Sequence, residues 1–211
     1  MLAVFSGFCL SMELVRIIVS SSPGYIFLIW NLVLAWVPYL LSLKFIELDI
    51  RKQWISSSII MLLWVAFLPN GPYIITDLIH LRPRIGIPMW YDVLLVSTMA
   101  WNGLLLTLLS VNLVHRKLEE YFSAFKLWVA LIILFLSSGY GIYIGRFMRL
   151  NSWDAFLRPL SVLHYLFADL IHPFHHPRSI LVTVIVTILL SLSYSIFYLM
   201  GHKPASTYET V

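Results

Sequence analysis

Trp64–Leu81 reads WVAFLPNGPYIITDLIHL. This stretch decides the fold: it is too apolar for a surface helix and too rich in proline for an ordinary one. Pro69 and Pro72 flank Asn70 and Gly71. Each proline removes a backbone N–H and crowds the turn before it. Asn-Gly between them favours a tight, non-helical bend. A helix entering near Ile55 places Pro69 roughly 20 Å along its axis, about two-thirds of the way across a bilayer. Irregular backbone at that depth survives only inside protein or beside a water-filled cavity. Discontinuous helices are also how many transporters build their sites. A packing kink and a functional break both remain open, with Asn70 supplying a polar group where freed carbonyls need partners.

The rest of the chain agrees with a membrane setting. Its 211 residues are 60% hydrophobic and 11% charged, against about 25% charged residues in an average soluble domain. So few charges cannot cover a water-facing surface. The apolar residues come in long blocks, each near the roughly 20 residues of a membrane-spanning helix. The expected class is all-α: a polytopic transmembrane bundle forming a single integral membrane domain over 1–211. Six spans are predicted, at 1–20, 25–44, 55–79, 91–114, 126–146 and 180–200, with the third broken at Pro69–Pro72. The connection 147–179 is rich in Trp, Phe and Leu and reads as an interfacial or re-entrant segment with a short helix at about 160–171.

Several classes are excluded. The single cysteine, Cys9, rules out an internal disulfide or a cysteine metal cluster. The net charge of +4 suits an anionic lipid surface and is no evidence for nucleic acid. No Lys or Arg precedes Arg16, so the basic n-region of a cleavable signal peptide is missing. The first apolar block is expected to stay as a helix. It is short for a span, as a late start site or a truncation would leave it. There is no Gly-rich phosphate loop, nucleophile elbow or HExxH.

Six spans put alternate loops on opposite faces. Face A, with both termini, carries Lys44, Arg51, Lys52, Arg116, Lys117, Lys126 and Lys203; face B carries Arg16, Arg82, Arg84, Arg146, Arg149, Arg158 and Arg178. Seven against seven gives no orientation by count. The kinds differ: all the lysines are on A, and every basic residue on B is arginine. Asp77, Asp92, Asp154 and Asp169 also fall on B. Arg with Asp makes fixed, bidentate pairs, so face B is expected to carry an organised site and face A to be cytoplasmic.

Past the break, Tyr73, Thr76, Asp77 and His80 fall at i, i+3, i+4 and i+7 and share one helical face. Asp92 opens the fourth span, where it complements the helix dipole. Glu13 and Arg16 lie one turn apart and are expected to pair. Ser137, Gly141 and Gly145 recur every four residues, a stripe that suits close internal packing or a homo-oligomer.

Trp30-Asn31-Leu32, Ala35-Trp36-Val37-Pro38, Phe67 to Asn70 with Pro72-Tyr73, Thr76 to Leu81, Trp90-Tyr91-Asp92, and Gly145-Arg146-Phe147 through Asn151-Ser152-Trp153-Asp154 together resemble one bacterial membrane family, catalogued as domain of unknown function 1361. The resemblance spans roughly residues 25 to 160. It implies a multi-pass protein of the bacterial cell membrane and brings no activity, cofactor or site roles with it. Gly71 stands where the family pattern leads one to expect Ala, which would loosen the bend.

Three chemistries remain open for face B. Asp77/His80 recurs as Asp169/His172 in the second copy of Y-x-x-x-D-L-I-H, Tyr165 to His172. Two Asp-x-x-His pairs with spare carboxylates at Asp92 and Asp154 resemble the arithmetic of helical dimetal sites, although those use Glu; His175 and His176 add ligand capacity. The alternative for these groups is capping and pairing with arginine. Arg82, Arg84, Arg146, Arg149 and Arg158 suit phosphate or carboxylate. With Asp77, His80, Asp92 and Asp154 as candidate catalytic groups, that is the layout of a lipid-processing enzyme; Asn70, Tyr73, Arg82, Arg84, Arg146, Arg149, Asn151 and Trp153 are the candidate ligand contacts. A transporter built on the broken helix would use the intramembrane Asn31, Asn70 and Asn102. A non-catalytic membrane assembly partner is the third class. Whether the protein is an enzyme, and which cofactor it would use, the residues leave undecided.

Overall fold

The structure is a computed structural model that describes residues 1–83, 86–148, 157, 160 and 177–201. Helix α1 is Leu2–Ser20, α2 Phe27–Glu47, α3 Trp54–Phe67 and α4 the short Asn70–Tyr73; a 3-10 segment Ile74–His80 follows. Then come α5 Met89–Leu118, α6 Ala124–Tyr143 with a π-helical turn Ile144–Met148, and α7 Pro177–Gly201. There is no β-strand among the described residues. Six helical stretches are long and apolar enough to cross a membrane, and Trp54–His80 counts as one of them. The protein is a multi-pass membrane protein. The expected helix at about 160–171 lies outside the described residues apart from Leu160.

Helix α5 is the axis of the bundle. It is far more buried than any other span, and its two halves anchor two cores. Toward face B, Cys9, Tyr25, Leu28, Leu32, Ile74, Leu95 and Met99 pack together. Toward face A, Phe45, Trp64, Leu108, Phe135, Leu190 and Tyr194 do so. The outer surface exposes Ile18, Trp30, Leu62, Ile133 and Leu192, a lipid-facing composition. Lipid is as apolar as leucine, so these helices associate through close packing rather than hydrophobic burial.

The third span is interrupted at Leu68–Pro69, but not by the non-helical bend expected there. Leu68 (φ −55°, ψ −38°) and Pro69 (φ −60°, ψ −21°) keep right-handed helical angles. The chain changes pitch, tightening into the 3-10 segment, instead of unwinding. Asn70 Nδ2 donates to the Phe67 carbonyl at 2.8 Å, the partnering that its position suggested. Gly71 does not loosen the bend. A Cβ there would meet Thr107 Oγ1 and lie 2.7 Å from the Gly103 carbonyl, and a Cβ on Gly103 would meet Gly71 in turn. The two glycines let the broken helix touch α5 backbone to backbone.

The small-residue stripe on α6 divides. Gly141 faces Pro69, where a Cβ would lie 3.1 Å from the proline ring. Ser137 is exposed and bonds its own helix at the Ile133 carbonyl, 2.8 Å. The close crossing with α7 is made by Gly139 against Thr183, outside the stripe.

Candidate functional site

Arg146 leaves α6 from the π-helical turn, a feature that re-aims side chains and is common at functional sites. Its guanidinium meets the whole face that spacing assigned to the exit segment. Nε and Nη2 donate to Thr76 Oγ1 at 2.9 and 2.6 Å. Nη2 also donates to Asp77 Oδ1, and Nη1 lies 2.8 Å from His80 Nε2. The Tyr73 ring lies beneath, 4.4 Å from Cζ. A 3-10 helix eclipses i and i+3, which brings Asp77 and His80 into register.

Asp77 is 1% exposed. Its second oxygen accepts from Asn31 Nδ2 of α2 at 2.7 Å, so both oxygens are occupied. Guanidinium has donors only. In its contact with Arg146, His80 Nε2 is therefore the acceptor. His80 itself is exposed and lies edge-on to Phe27, ring centroids 5.5 Å apart.

A second buried pair lies beside the first. Arg16 Nε and Nη2 donate to the two oxygens of Asp92 at 2.7 and 3.3 Å, and both residues are almost fully buried. The hydrogen bonds of Arg16 thus go to α5, a partner that the one-turn spacing to Glu13 did not suggest. Asp92 still sits in the first turn of α5, where it also meets the helix dipole. Tyr25 connects the pairs. Its ring lies under Arg16, 4.4 Å from Cζ, and its hydroxyl donates to the His80 carbonyl at 3.3 Å. Tyr91 donates to the Met12 carbonyl at 2.8 Å, tying α5 to α1 at the same end of the bundle.

The structure therefore gathers Tyr73, Asp77, His80 and Arg146 at one centre and holds Asp92 in a neighbouring one. Asn70 lies one turn back, bonded to its own helix, and Arg82 is exposed past the exit segment. Arg84, Arg149, Asn151, Trp153, Asp154 and Arg158 lie outside the described residues, as do Asp169, His172, His175 and His176. Among the described residues no group of three or more His, Cys, Asp or Glu could hold a metal ion. The positive guanidinium of Arg146 sits against Asp77 Oδ1 and His80 Nε2, with Asn31 against Oδ2.

Sequence reasoning missed Tyr25 altogether, did not give Arg16 its partner Asp92, and did not connect Asn31 to Asp77. It also missed His115 on face A. That imidazole is nearly fully buried, with Nδ1 2.6 Å from the Tyr194 hydroxyl and its ring stacked on Tyr198 at 5.1 Å. Tyr198 in turn donates to Glu119 at 2.6 Å. A charged helix end offers no sequence signal that one of its members turns inward.

The two faces differ as their charges predict. On face A, Lys44–Glu47, Lys52–Asp49 and Lys117–Glu120 are local i,i+3 pairs at 2.9, 3.4 and 3.1 Å. On face B the pairs are arginine with aspartate, buried, and formed between distant helices. Among known families, the one described as "Protein of unknown function (DUF1361)" matches residues 30–193. That span includes Asn31, Asp77, Asp92 and Arg146; Arg16 and Tyr25 precede it. No curated protein and no solved structure matches the chain.

Proposed function

Because the chain belongs to this family of proteins of unknown function (DUF1361), which supplies no activity, we propose from the site alone that face B binds a small anionic or lipid-linked ligand, with Arg146 receiving its negative charge. The observation that carries this reading is the fixed guanidinium. Thr76, Asp77, His80 and Tyr73 hold it in one orientation while its side chain stays 11% exposed. Thr76, Asp77 and His80 engage four of its five N–H donors, so one Nη1 N–H and the delocalised charge are left to meet a phosphate or carboxylate. Exposed His80 and Arg82 lie on the same side and add donors.

Binding is better supported than catalysis. Asp77 and Asp92 each have both oxygens engaged, so neither is offered as a general base. His80 is the remaining described candidate for proton transfer. The transport reading has little support at the depth of Gly71, where the backbone-to-backbone crossing with Gly103 fills the space.

The test is equilibrium binding to the nanodisc-reconstituted protein, with inorganic phosphate and glycerol phosphate as soluble probes and phosphatidylglycerol as the lipid probe. Arg146→Gln is expected to weaken binding of the preferred probe by roughly ten-fold or more, the scale of one charge-assisted hydrogen bond. Equal binding by the wild type and Arg146→Gln would refute the reading. A second reading, a non-catalytic assembly partner, is favoured by the neutralisation of each buried aspartate by an arginine. It predicts that none of the three probes binds.

A further inference from the structure

We infer that the face A half of the bundle holds a second, separate ligand site: a seam that takes one acyl chain of an anionic phospholipid. Helix α3 packs on α2, and α6 packs on α7, with α5 between the two pairs. At mid-membrane the pairs meet where Pro69 abuts Gly141. Toward face A they part and leave a cavity of about 160 Å³. Met61 and Trp64 line it from α3, Val111 and His115 from α5, and Leu131 and Leu134 from α6. A cavity of this size with apolar walls takes up apolar molecules in preference to water.

Its position names the occupant. Val65 and Ala130 also line the space, and both are exposed on the outer, lipid-facing surface. The mouth thus opens to acyl chains, the apolar molecules present at that depth. Charge at the mouth selects the headgroup. Lys117 and Lys126 directly precede the lining residues Leu118 and Leu127 on α5 and α6. Glu120 is held by Lys117, and Glu119 accepts from Tyr198. Lys126 is exposed and forms no salt bridge among the described residues. Lysines within a Debye length of a bilayer surface attract anionic lipid.

The site is independent of Arg146, which lies at the opposite end of α6. The test reconstitutes the full chain in nanodiscs of equal phosphatidylglycerol and phosphatidylcholine and counts retained lipids by native mass spectrometry. The wild type is expected to retain one phosphatidylglycerol in the face A seam. Ala130→Phe plugs an exposed mouth position and is expected to lose it, with the thermal midpoint in detergent reporting that the bundle still folds. Lys117→Gln/Lys126→Gln is expected to lower the preference for phosphatidylglycerol on the order of ten-fold while a chain is still retained. In the Arg146→Gln background, which removes any lipid held at face B, Ala130→Phe is still expected to lose one phosphatidylglycerol. Equal retention by the wild type and folded Ala130→Phe would overturn the inference. So would equal retention by Arg146→Gln and Arg146→Gln/Ala130→Phe, which would assign the lipid to face B.

Discussion

Arg146 and Asp77 pair across 69 residues of sequence, with the aspartate side chain 1% and the arginine side chain 11% exposed. The pair joins the π-helical end of α6 to the 3-10 end of the third span. Removing one member of a buried pair strands the other charge, at about 3–5 kcal/mol. Arg146→Gln and Asp77→Asn are each expected to destabilise by that order in denaturant titrations in detergent. The double variant is expected to cost less than the sum. Additive costs would mean that the two side chains do not interact.

Asn31 tests the other oxygen of Asp77. Asn31→Leu removes the 2.7 Å donor and leaves a buried carboxylate oxygen short of one partner, a loss of about 1–3 kcal/mol. The cost is expected to shrink in the Asp77→Asn background, where no full charge remains to be satisfied. A cost unchanged by Asp77→Asn would place the role of Asn31 in packing alone.

Tyr25 offers a separation of two contacts. Tyr25→Phe removes the 3.3 Å bond to the His80 carbonyl but keeps a ring under Arg16; the expected loss is about 0.5–1.5 kcal/mol. Tyr25→Leu removes both contacts and is expected to cost about 0.5–2 kcal/mol more, the range of a cation–π contact. Equal stability of the two variants would show that the ring contributes nothing as a cation partner.

Gly71→Ala sets a steric test. The new Cβ would meet Thr107 Oγ1 and the Gly103 carbonyl, and overpacking of this kind costs about 1–3 kcal/mol. Thr107→Ala removes the first clash but not the second, so Gly71→Ala/Thr107→Ala is expected to recover only part of the loss. Full recovery would place the constraint in the side chain rather than in the backbone crossing.

The lysine pairs of face A provide the contrast. Lys44→Gln or Glu47→Gln breaks a pair in which both side chains are 63% exposed. Exposed pairs of this kind contribute about 0–1 kcal/mol, so unfolding midpoints are expected to move little. A shift as large as that of Arg146→Gln would contradict the division between the two faces.

The sequence by itself determined the six apolar helices, the interruption at Pro69, the face shared by Tyr73, Thr76, Asp77 and His80, and the contrast between lysine and arginine loops. Each of these is a local or compositional property: span length, proline chemistry, a repeat of three to four residues, and the kind of charge. Only the tertiary structure decided which arginine answers which aspartate. Arg16 hydrogen-bonds Asp92 on α5, Asn31 reaches Asp77, and Tyr25 joins the two pairs. Periodicity says which way a side chain points but not what it meets. The partner depends on how helices cross, and here the crossing follows from two glycines that allow backbone contact and from a π-helical turn that re-aims Arg146. Gly71 showed the limit most plainly. Read as a loosened bend, it is in the fold the point where the third span presses closest to the axis of the bundle.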